Sequence, residues 1–294
     1  MAQAICAILF SQFGGIMGFD AFVKREAQAV AGGGPFTIQQ LTDDLRALGI
    51  HPGMTFIVHS SLSKIGWVVG GTQAACTALI AAAGENGTVM MPAHSTHNSD
   101  PAFWQNPPIP ESWWPVVRDH MPAYDPAITP TRGIGKIPEL FRTFPGVKRS
   151  SHPVVSFAAR GPHAETLLAN HPLDDDIGEG SPIAHLYNLD GYVLLLGVGY
   201  GNNTAMHLAE YRANFSGKHR VTQSCAMLVH GIRQWVEYHP LQLDDEDFPQ
   251  IGEAFEAAHP GAVRAGSIGK AHSKLIRVRP LIDFSIQWME ANRR

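Results

Sequence analysis

Apolar positions recur along this chain with two different periods, and the switching between them predicts most of its secondary structure. Ile38, Leu41, Leu45 and Leu48 follow at steps of three, four and three, which places them on one face of a helix. Thr37-Ile38-Gln39-Gln40 opens that helix as a capping box, the Thr37 hydroxyl and the Gln40 amide serving free backbone N–H groups, and Gly49 closes it. A crossover unit comes next: a short apolar strand at 55–58, an alanine-rich helix at 72–83 ended by Gly84, and a strand at 88–91 parallel to the first. From 92 to 130 the chain is rich in proline and carries Trp104, Trp113 and Trp114 with little periodicity, the mark of a long functional loop with helical potential around 113–120. Beyond it the pattern predicts helices at 133–144, 162–169 and 181–187, a strand at 154–158 and a buried strand at 192–196. From Arg220 onward, antiparallel strands interleave with helices near 246–258 and 280–292. The expected fold class is therefore α/β: a central mixed sheet, parallel in its first half with crossover helices, with antiparallel strands added in the second half. Residues 1–34 end in the breaker cluster Ala31-Gly32-Gly33-Gly34-Pro35 and read as an N-terminal extension of unknown role, leaving 35–294 as a single domain.

The stretch with most chemical content runs from Asn202 to Arg212, directly after the buried strand and the turn Gly197-Val198-Gly199-Tyr200-Gly201. Ligands of open α/β sheets collect beyond the carboxyl ends of strands, so titratable side chains in the next helix stand where chemistry is done. His207 and Glu210 are such side chains, and their i, i+3 spacing puts them on one helical face. The carboxylate can fix one imidazole nitrogen and leave the other free as a base. Taken alone, a His-x-x-Glu reads rather as a structural histidine satisfied by its neighbour, and the further motifs shift that balance.

A second segment, Val58-His59-Ser60-Ser61-Leu62-Ser63-Lys64-Ile65-Gly66-Trp67-Val68-Val69-Gly70-Gly71, lies between a strand and a helix and carries another histidine. Further ordered motifs are Pro126-Ala127-Ile128-Thr129-Pro130-Thr131-Arg132-Gly133-Ile134-Gly135, Arg149-Ser150-Ser151-His152-Pro153 with Ser156-Phe157-Ala158-Ala159-Arg160-Gly161, and Gly178-Glu179-Gly180-Ser181-Pro182. Together these segments resemble the aminoglycoside 3-N-acetyltransferases, and the resemblance runs from about Thr37 to the C-terminus. It implies an N-acetyltransferase that takes acetyl from acetyl-CoA and passes it to an amine, such as the 3-amino group of the 2-deoxystreptamine ring.

Acyl transfer from a thioester to an amine needs a base for the amine, stabilisation of charge on the thioester oxygen, and a hold on the cofactor's phosphates. His207 is the candidate base with Glu210 orienting it, and direct attack in a ternary complex is expected because a neutral amine is already nucleophilic. His59 is the reserve base, with a structural role in its loop as the alternative. The resemblance implies acetyl-CoA contacts from the loop Ser60, Ser61, Leu62, Ser63, Lys64, Gly70 and Gly71, and from Thr131, Gly133 and Ile134. Backbone N–H groups in that loop and the start of the following helix suit an anion, and Lys64 adds a point charge. Ile134 stands where many relatives are expected to carry methionine, an apolar exchange. A polycationic acceptor calls for carboxylates, for which Asp100, Asp174, Asp176 and Glu179 are the candidates, with Asp175, Asp125 and Glu111 behind them. The tryptophans are read either as a pocket wall or as core cover.

Composition narrows the partners. The chain has 294 residues, 45% hydrophobic and 16% charged, enough for a sizeable core, and its net charge of −4 is not that of a nucleic-acid binder. Cys6, Cys76 and Cys225 are too scattered for a disulfide framework or a cysteine zinc site, which fits a cytoplasmic protein. The apolar start lacks a basic n-region and is broken at Ser11-Gln12-Phe13-Gly14-Gly15, so no signal peptide or membrane span is expected. Monomer and homodimer both remain open. Gly197-x-Gly199-x-Gly201 has the wrong spacing for a dinucleotide fingerprint, and there is no G-x-S-x-G elbow. Two rivals stand beside the transferase. One is a metal-dependent hydrolase using His59, His94, His97 and His207 with Asp100; the other is a CoA-binding protein without catalysis.

Overall fold

The computed structural model describes residues 17–293. Helix α1 (Met17–Ala31) lies in the segment set apart by the glycine cluster. Helix α2 (Ile38–Leu48) starts at the predicted capping box: the Gln40 N–H donates to Thr37 Oγ1 at 3.3 Å and the Thr37 N–H donates to Gln40 Oε1 at 3.0 Å. Leu41, Leu45 and Leu48 are buried, whereas Ile38, in the first turn, is 41% exposed and lies outside the predicted apolar contact. The crossover unit is β1 (Thr55–Ser60), a single turn α3 (Leu62–Ile65), α4 (Gly71–Ala83) and β2 (Thr88–Pro92), with β1 and β2 parallel as expected. Alanines 74, 75, 78 and 82 are buried and let α4 lie close to α2.

The long segment after β2 holds only short 3₁₀ turns and α5 (Trp114–His120), within the predicted helical stretch. Helix α6 (Lys136–Phe141) is shorter than the predicted 133–144 because Gly133 and Gly135 have φ of 80° and 86°, in the left-handed region that a helix cannot use. Then come β3 (Lys148–Arg149), β4 (Phe157–Arg160), α7 (Ala164–Leu168), α8 (Pro182–Asn188) and β5 (Tyr192–Leu196). Strand β4 begins later than the predicted 154, because Val154 and Ser156 accept instead from Ser95 and Ala93 in an irregular course leaving β2. The remainder is α9 (His207–Arg212), the hairpin β6 (Gln223–Val229) and β7 (Ile232–Tyr238), α10 (Phe248–Ala258), β8 (Val263–Ile268), β9 (Ala271–Arg277) and α11 (Val278–Asn292).

Seven strands form one mixed sheet in the order β3-β4-β2-β1-β5-β9-β8, with the β6–β7 hairpin separate. Its centre, β2-β1-β5, is parallel, and antiparallel strands extend it on both sides. Both faces of the centre are covered: Phe56, Val58, Leu194 and Leu196 pack toward α2 and α4, and Ile57, Val193 and Leu195 toward the later helices. That two-sided burial is why these strands read as continuous apolar runs. Ser60 lies opposite Leu196, so β1 and β5 end side by side and open one crevice at their carboxyl ends. Cys76 and Cys225 are buried thiols that desolvation pushes up to about 12; Cys6 lies outside the described residues. No helix among the described residues is long and apolar enough to cross a membrane.

Candidate active site

After β5 the chain makes two 3₁₀ turns, Tyr200–Asn202 and Thr204–Met206, and α9 starts at His207 itself. His207 Nδ1 is hydrogen-bonded to Glu210 Oε2. A carboxylate only accepts, so Nδ1 carries the proton and Nε2 keeps the basic lone pair. The His207 side chain is 14% exposed and Glu210 only 1%. A buried carboxylate needs compensation, and Glu210 has it: its Oε1 accepts from Arg293 Nη1 at 2.6 Å and from the Asp244 N–H at 2.9 Å. Burial works against the Arg293 cation, but Asp247 and Glu210 hold its pKa above the usual arginine value. The His207 ring rests against Phe248, centroid to centroid 4.8 Å.

The pair opens onto a cleft of about 440 Å³ at the carboxyl ends of β1 and β5, lined also by His59, Ser60, His94, Ile134 and Asn203. Burial, with the charge of His207 second, pushes His59 down to about 3; burial first, then neighbouring histidines and Arg149, does the same to His94. Both are therefore neutral imidazoles near neutral pH, and the Nε2 atom of each is buried without a hydrogen-bond partner. His59 thus shares the cleft with His207 as a neutral hydrogen-bonding group, with weak basicity for the reserve role.

The cofactor candidates gather in a groove of about 490 Å³ that shares Ser60, Ser61 and Gly135 with this cleft and adds Leu62, Ser63, Lys64 and Gly71, with Lys136 opposite. Gly70 and Gly71, at φ of 83° and 56°, make the turn into α4; Gly70 is the N-cap of that helix and does not line the groove. Part of the expected backbone cradle is already committed, since the N–H groups of Ser61, Lys64 and Gly71 donate to Leu196, Ser61 and Val68 carbonyls. Gly133 and Ile134 line the cleft that holds His207. Thr131 is set further back: its N–H and Oγ1 donate to Glu139 Oε2 at 2.8 and 2.6 Å, which steadies the segment leading to Gly133.

A third cleft, of about 590 Å³, adjoins the catalytic one at Gly133 and is lined by Trp104, Arg132, Tyr238 and Asp176 among others. The acidic candidates divide here. Asp176 lines this cleft, accepts from Tyr211 Oη at 2.6 Å, and is raised to about 6 by burial. Asp100 is engaged by Arg118 at 2.8 and 3.0 Å, Glu179 by Arg212 at 2.6 and 2.9 Å, and Asp174 accepts the His239 N–H, so their charges serve the scaffold. Asp125 caps the Ala127 N–H, and Trp113 is 58% exposed. Among the described residues no three His, Cys, Asp or Glu side chains converge in a metal-holding arrangement; His97 lines the third cleft and Asp100 faces Arg118, not His59, His94 or His207. Sequence reading passed over Arg293, Asp244, Asp245 and Asn203. Asn203 stands inside the quoted 202–212 stretch, Asp245 lines the catalytic cleft from the approach to α10, and nothing in the local sequence ties Arg293 to Glu210.

A sequence model described as aminoglycoside 3-N-acetyltransferase matches residues 57–290. The chain belongs to this family. It is 46% identical over 259 residues to the SPbeta prophage-derived aminoglycoside N(3')-acetyltransferase-like protein YokD of Bacillus subtilis (strain 168), covering 88% of this chain and 94% of that one. The crystal structure of YokD superposes with a TM-score of 0.85, over 88% of this chain and 95% of YokD. Aminoglycoside N(3)-acetyltransferase VII of Streptomyces paromomycinus is 37% identical over 273 residues, 87% of this chain and 92% of that protein. AAC-IIIb in binary complex with CoASH matches at TM-score 0.79 and 31% identity, over 88% of this chain and 98% of AAC-IIIb. Family membership makes the protein an N-acetyltransferase with acetyl-CoA as its acetyl donor.

Proposed function

We propose that this acetyltransferase passes acetyl from acetyl-CoA directly to the 3-amino group of the 2-deoxystreptamine ring of an aminoglycoside, in a ternary complex, with His207 as general base. The observation that carries this reading is the His207–Glu210 pair, a buried carboxylate held by Arg293 and aimed at an imidazole on the cleft wall. As the amine nitrogen bonds to the acetyl carbonyl carbon, His207 Nε2 takes the amine proton; the C–S bond then breaks, and the proton goes to the departing sulfur to leave CoASH. Glu210 fixes the imidazole tautomer and stabilises the imidazolium. Direct transfer is supported by the state of Cys76 and Cys225, which are buried and protonated. Lys64 and Lys136 on the adjoining groove supply cations for the CoA phosphates. We read 35–294 as one acetyltransferase domain, supported by a single sheet running from Thr55 to Arg277, and 1–34 as an appended segment whose α1 borders the groove through Glu26, Gln28 and Ala29.

A second reading, an acceptor other than an aminoglycoside, is favoured by one observation. Of the acidic candidates only Asp176 lines the acceptor-side cleft, where Arg132 also stands, and this is thin charge for a polycation. A free-thiol release assay with acetyl-CoA against aminoglycosides and simple amines separates the two. Turnover of aminoglycosides with acetylation at the 3-amino group, read by NMR of the product, supports the first reading. Preference for simple amines supports the second, and thiol release with no amine at all would refute both.

A further inference from the structure

Four buried polar side-chain atoms without a hydrogen-bond partner belong to residues lining the catalytic cleft: His59 Nε2, His94 Nε2, Ser60 Oγ and Asn203 Nδ2. A buried polar group without a hydrogen-bond partner is costly, so such a cluster marks where a ligand completes the site. Two of the four are set apart by position. Ser60 ends β1 and borders both the catalytic cleft and the cofactor groove, the junction where the thioester must lie for His207 to serve the attacking amine. Asn203 sits on the turn leaving β5, the parallel neighbour of β1, and is 1% exposed. Its amide orientation is fixed, because Oδ1 accepts the Ala205 N–H at 3.3 Å and so the NH₂ group is the end left unpaired. The carbonyl oxygen of the thioester gains negative charge as the amine adds, and it needs donors that do not have to reorganise. The Ser61 N–H, which would otherwise be placed to help, is spent on the Leu196 carbonyl at 2.9 Å.

We propose that the Asn203 side-chain NH₂ and the Ser60 hydroxyl are the donor pair that stabilises the oxyanion on the thioester carbonyl during acetyl transfer, an inference that rests on the transferase reading of the cleft. Addition of the amine places one negative charge on that oxygen; collapse returns the electron pair to the carbonyl and expels the CoA sulfur, which receives the proton. Asn203 and Ser60 donate hydrogen bonds throughout and exchange no proton.

The discriminating variant is Asn203→Asp, which keeps the Oδ1 cap on Ala205 but replaces the donor by an acceptor. With acetyl-CoA and whichever amine of the panel turns over best, Asn203→Asp is expected to lower kcat by about 10²–10³ while calorimetric affinity for acetyl-CoA stays close to wild type. Ser60→Ala moves kcat in the same direction and, deleting a single atom at a strand end, serves as the second variant if Asn203→Asp fails to fold. In Ser60→Ala, which adds no titratable group, the loss is expected to be a constant factor with pH, unlike that of His207→Ala, which grows as pH rises, whereas in Asn203→Asp it is largest where the new carboxyl is ionised and can only accept. Near-wild-type kcat in Asn203→Asp or Ser60→Ala, or a loss confined to acetyl-CoA affinity, overturns the proposal. Full activity of His207→Ala alongside an impaired Asn203→Asp would instead remove the base and leave the donor pair standing.

Discussion

His207→Ala distinguishes proton transfer from packing at the centre of the cleft. The ring lies against Phe248 at 4.8 Å, and the side chain is 14% exposed, so its removal leaves a hollow that joins the cleft and fills with water. Truncation at such a site costs about 1–2 kcal/mol, below the 3–5 of a sealed aromatic position and well within a typical domain stability of about 5–15 kcal/mol. Glu210 keeps Arg293 and the Asp244 N–H, so the buried carboxylate stays compensated. General-base assistance is worth about 10²–10⁴ in rate, or roughly 3–5 kcal/mol of barrier, and the variant is expected to lose that much kcat while still binding acetyl-CoA. The sign of the pH dependence follows from the wild type. Only an unprotonated imidazole can act as base, so the gap between the two enzymes is expected to be smallest in acid and to widen as pH rises. Thiol release followed across pH for both proteins, with a melting curve for each, is the measurement. A gap that stays constant with pH would assign His207 to position or packing. Near-normal turnover would remove it from the chemistry, and the same assay on His59→Ala would then test the neighbouring imidazole.

Glu210→Gln keeps the shape and one acceptor but loses the charge that orients and stabilises the imidazolium, so its kcat should fall less than that of His207→Ala; a larger fall, accompanied by a lower Tm, would mark Glu210 chiefly as the anchor of Arg293. Gly71→Val places a β-branched residue at φ 56°, where an added Cβ has open space around it, so the cost is backbone strain. Weaker acetyl-CoA binding by calorimetry in a folded protein is expected, and an unchanged Kd would remove this turn from the cofactor site. For Glu139, burial pushes the carboxyl up, but bonds from Arg142 and Thr131 outweigh it and hold the pKa at about 2, below its unfolded value. Its stabilisation is thus present near neutral pH and fades as pH falls through the interval down to about 2. Glu139→Gln should melt lower than wild type at neutral pH, with the difference shrinking toward acid; a difference that grows in acid would contradict the assignment. If the acceptor is a polycation, its KM should rise with ionic strength, and a salt-independent KM would favour the less cationic amine.

The elements legible in the sequence were those whose signals are local. The Thr37–Gln40 box, the Gly49 and Gly84 stops and the apolar runs of β1, β2 and β5 depend on residues within one turn or one strand, and each appears where the pattern placed it. The errors arose where glycine geometry or tertiary pairing overrode periodicity: Gly133 and Gly135 delayed α6, and the chain leaving β2 captured 154–156. The antiparallel strands β3 and β4 also joined the sheet before the last parallel strand in sequence, an order that alternation cannot reveal.

The same distinction between local and distant information runs through the site. His207 and Glu210 could be paired from their spacing because a helix turn brings i and i+3 together, and Ser60 and His59 could be placed because they end a strand. What pairs the Glu210 carboxyl while the side chain is 1% exposed is Arg293, which meets it from the end of α11, and the Asp244 N–H, which meets it from the segment before α10. Neither contact has a periodic or motif signature. The acidic candidates failed in the opposite way, since sequence shows a carboxylate but not its partner: Arg118 and Arg212 take up Asp100 and Glu179, so a count of acidic residues overstates the field available to a cation. Charge near a site becomes charge in a site only when no scaffold cation claims it. By that criterion the third cleft, lined by Asp176 and Arg132, is far less anionic than the count of acidic candidates implies, and if the amine enters there its charge is met by few free carboxylates.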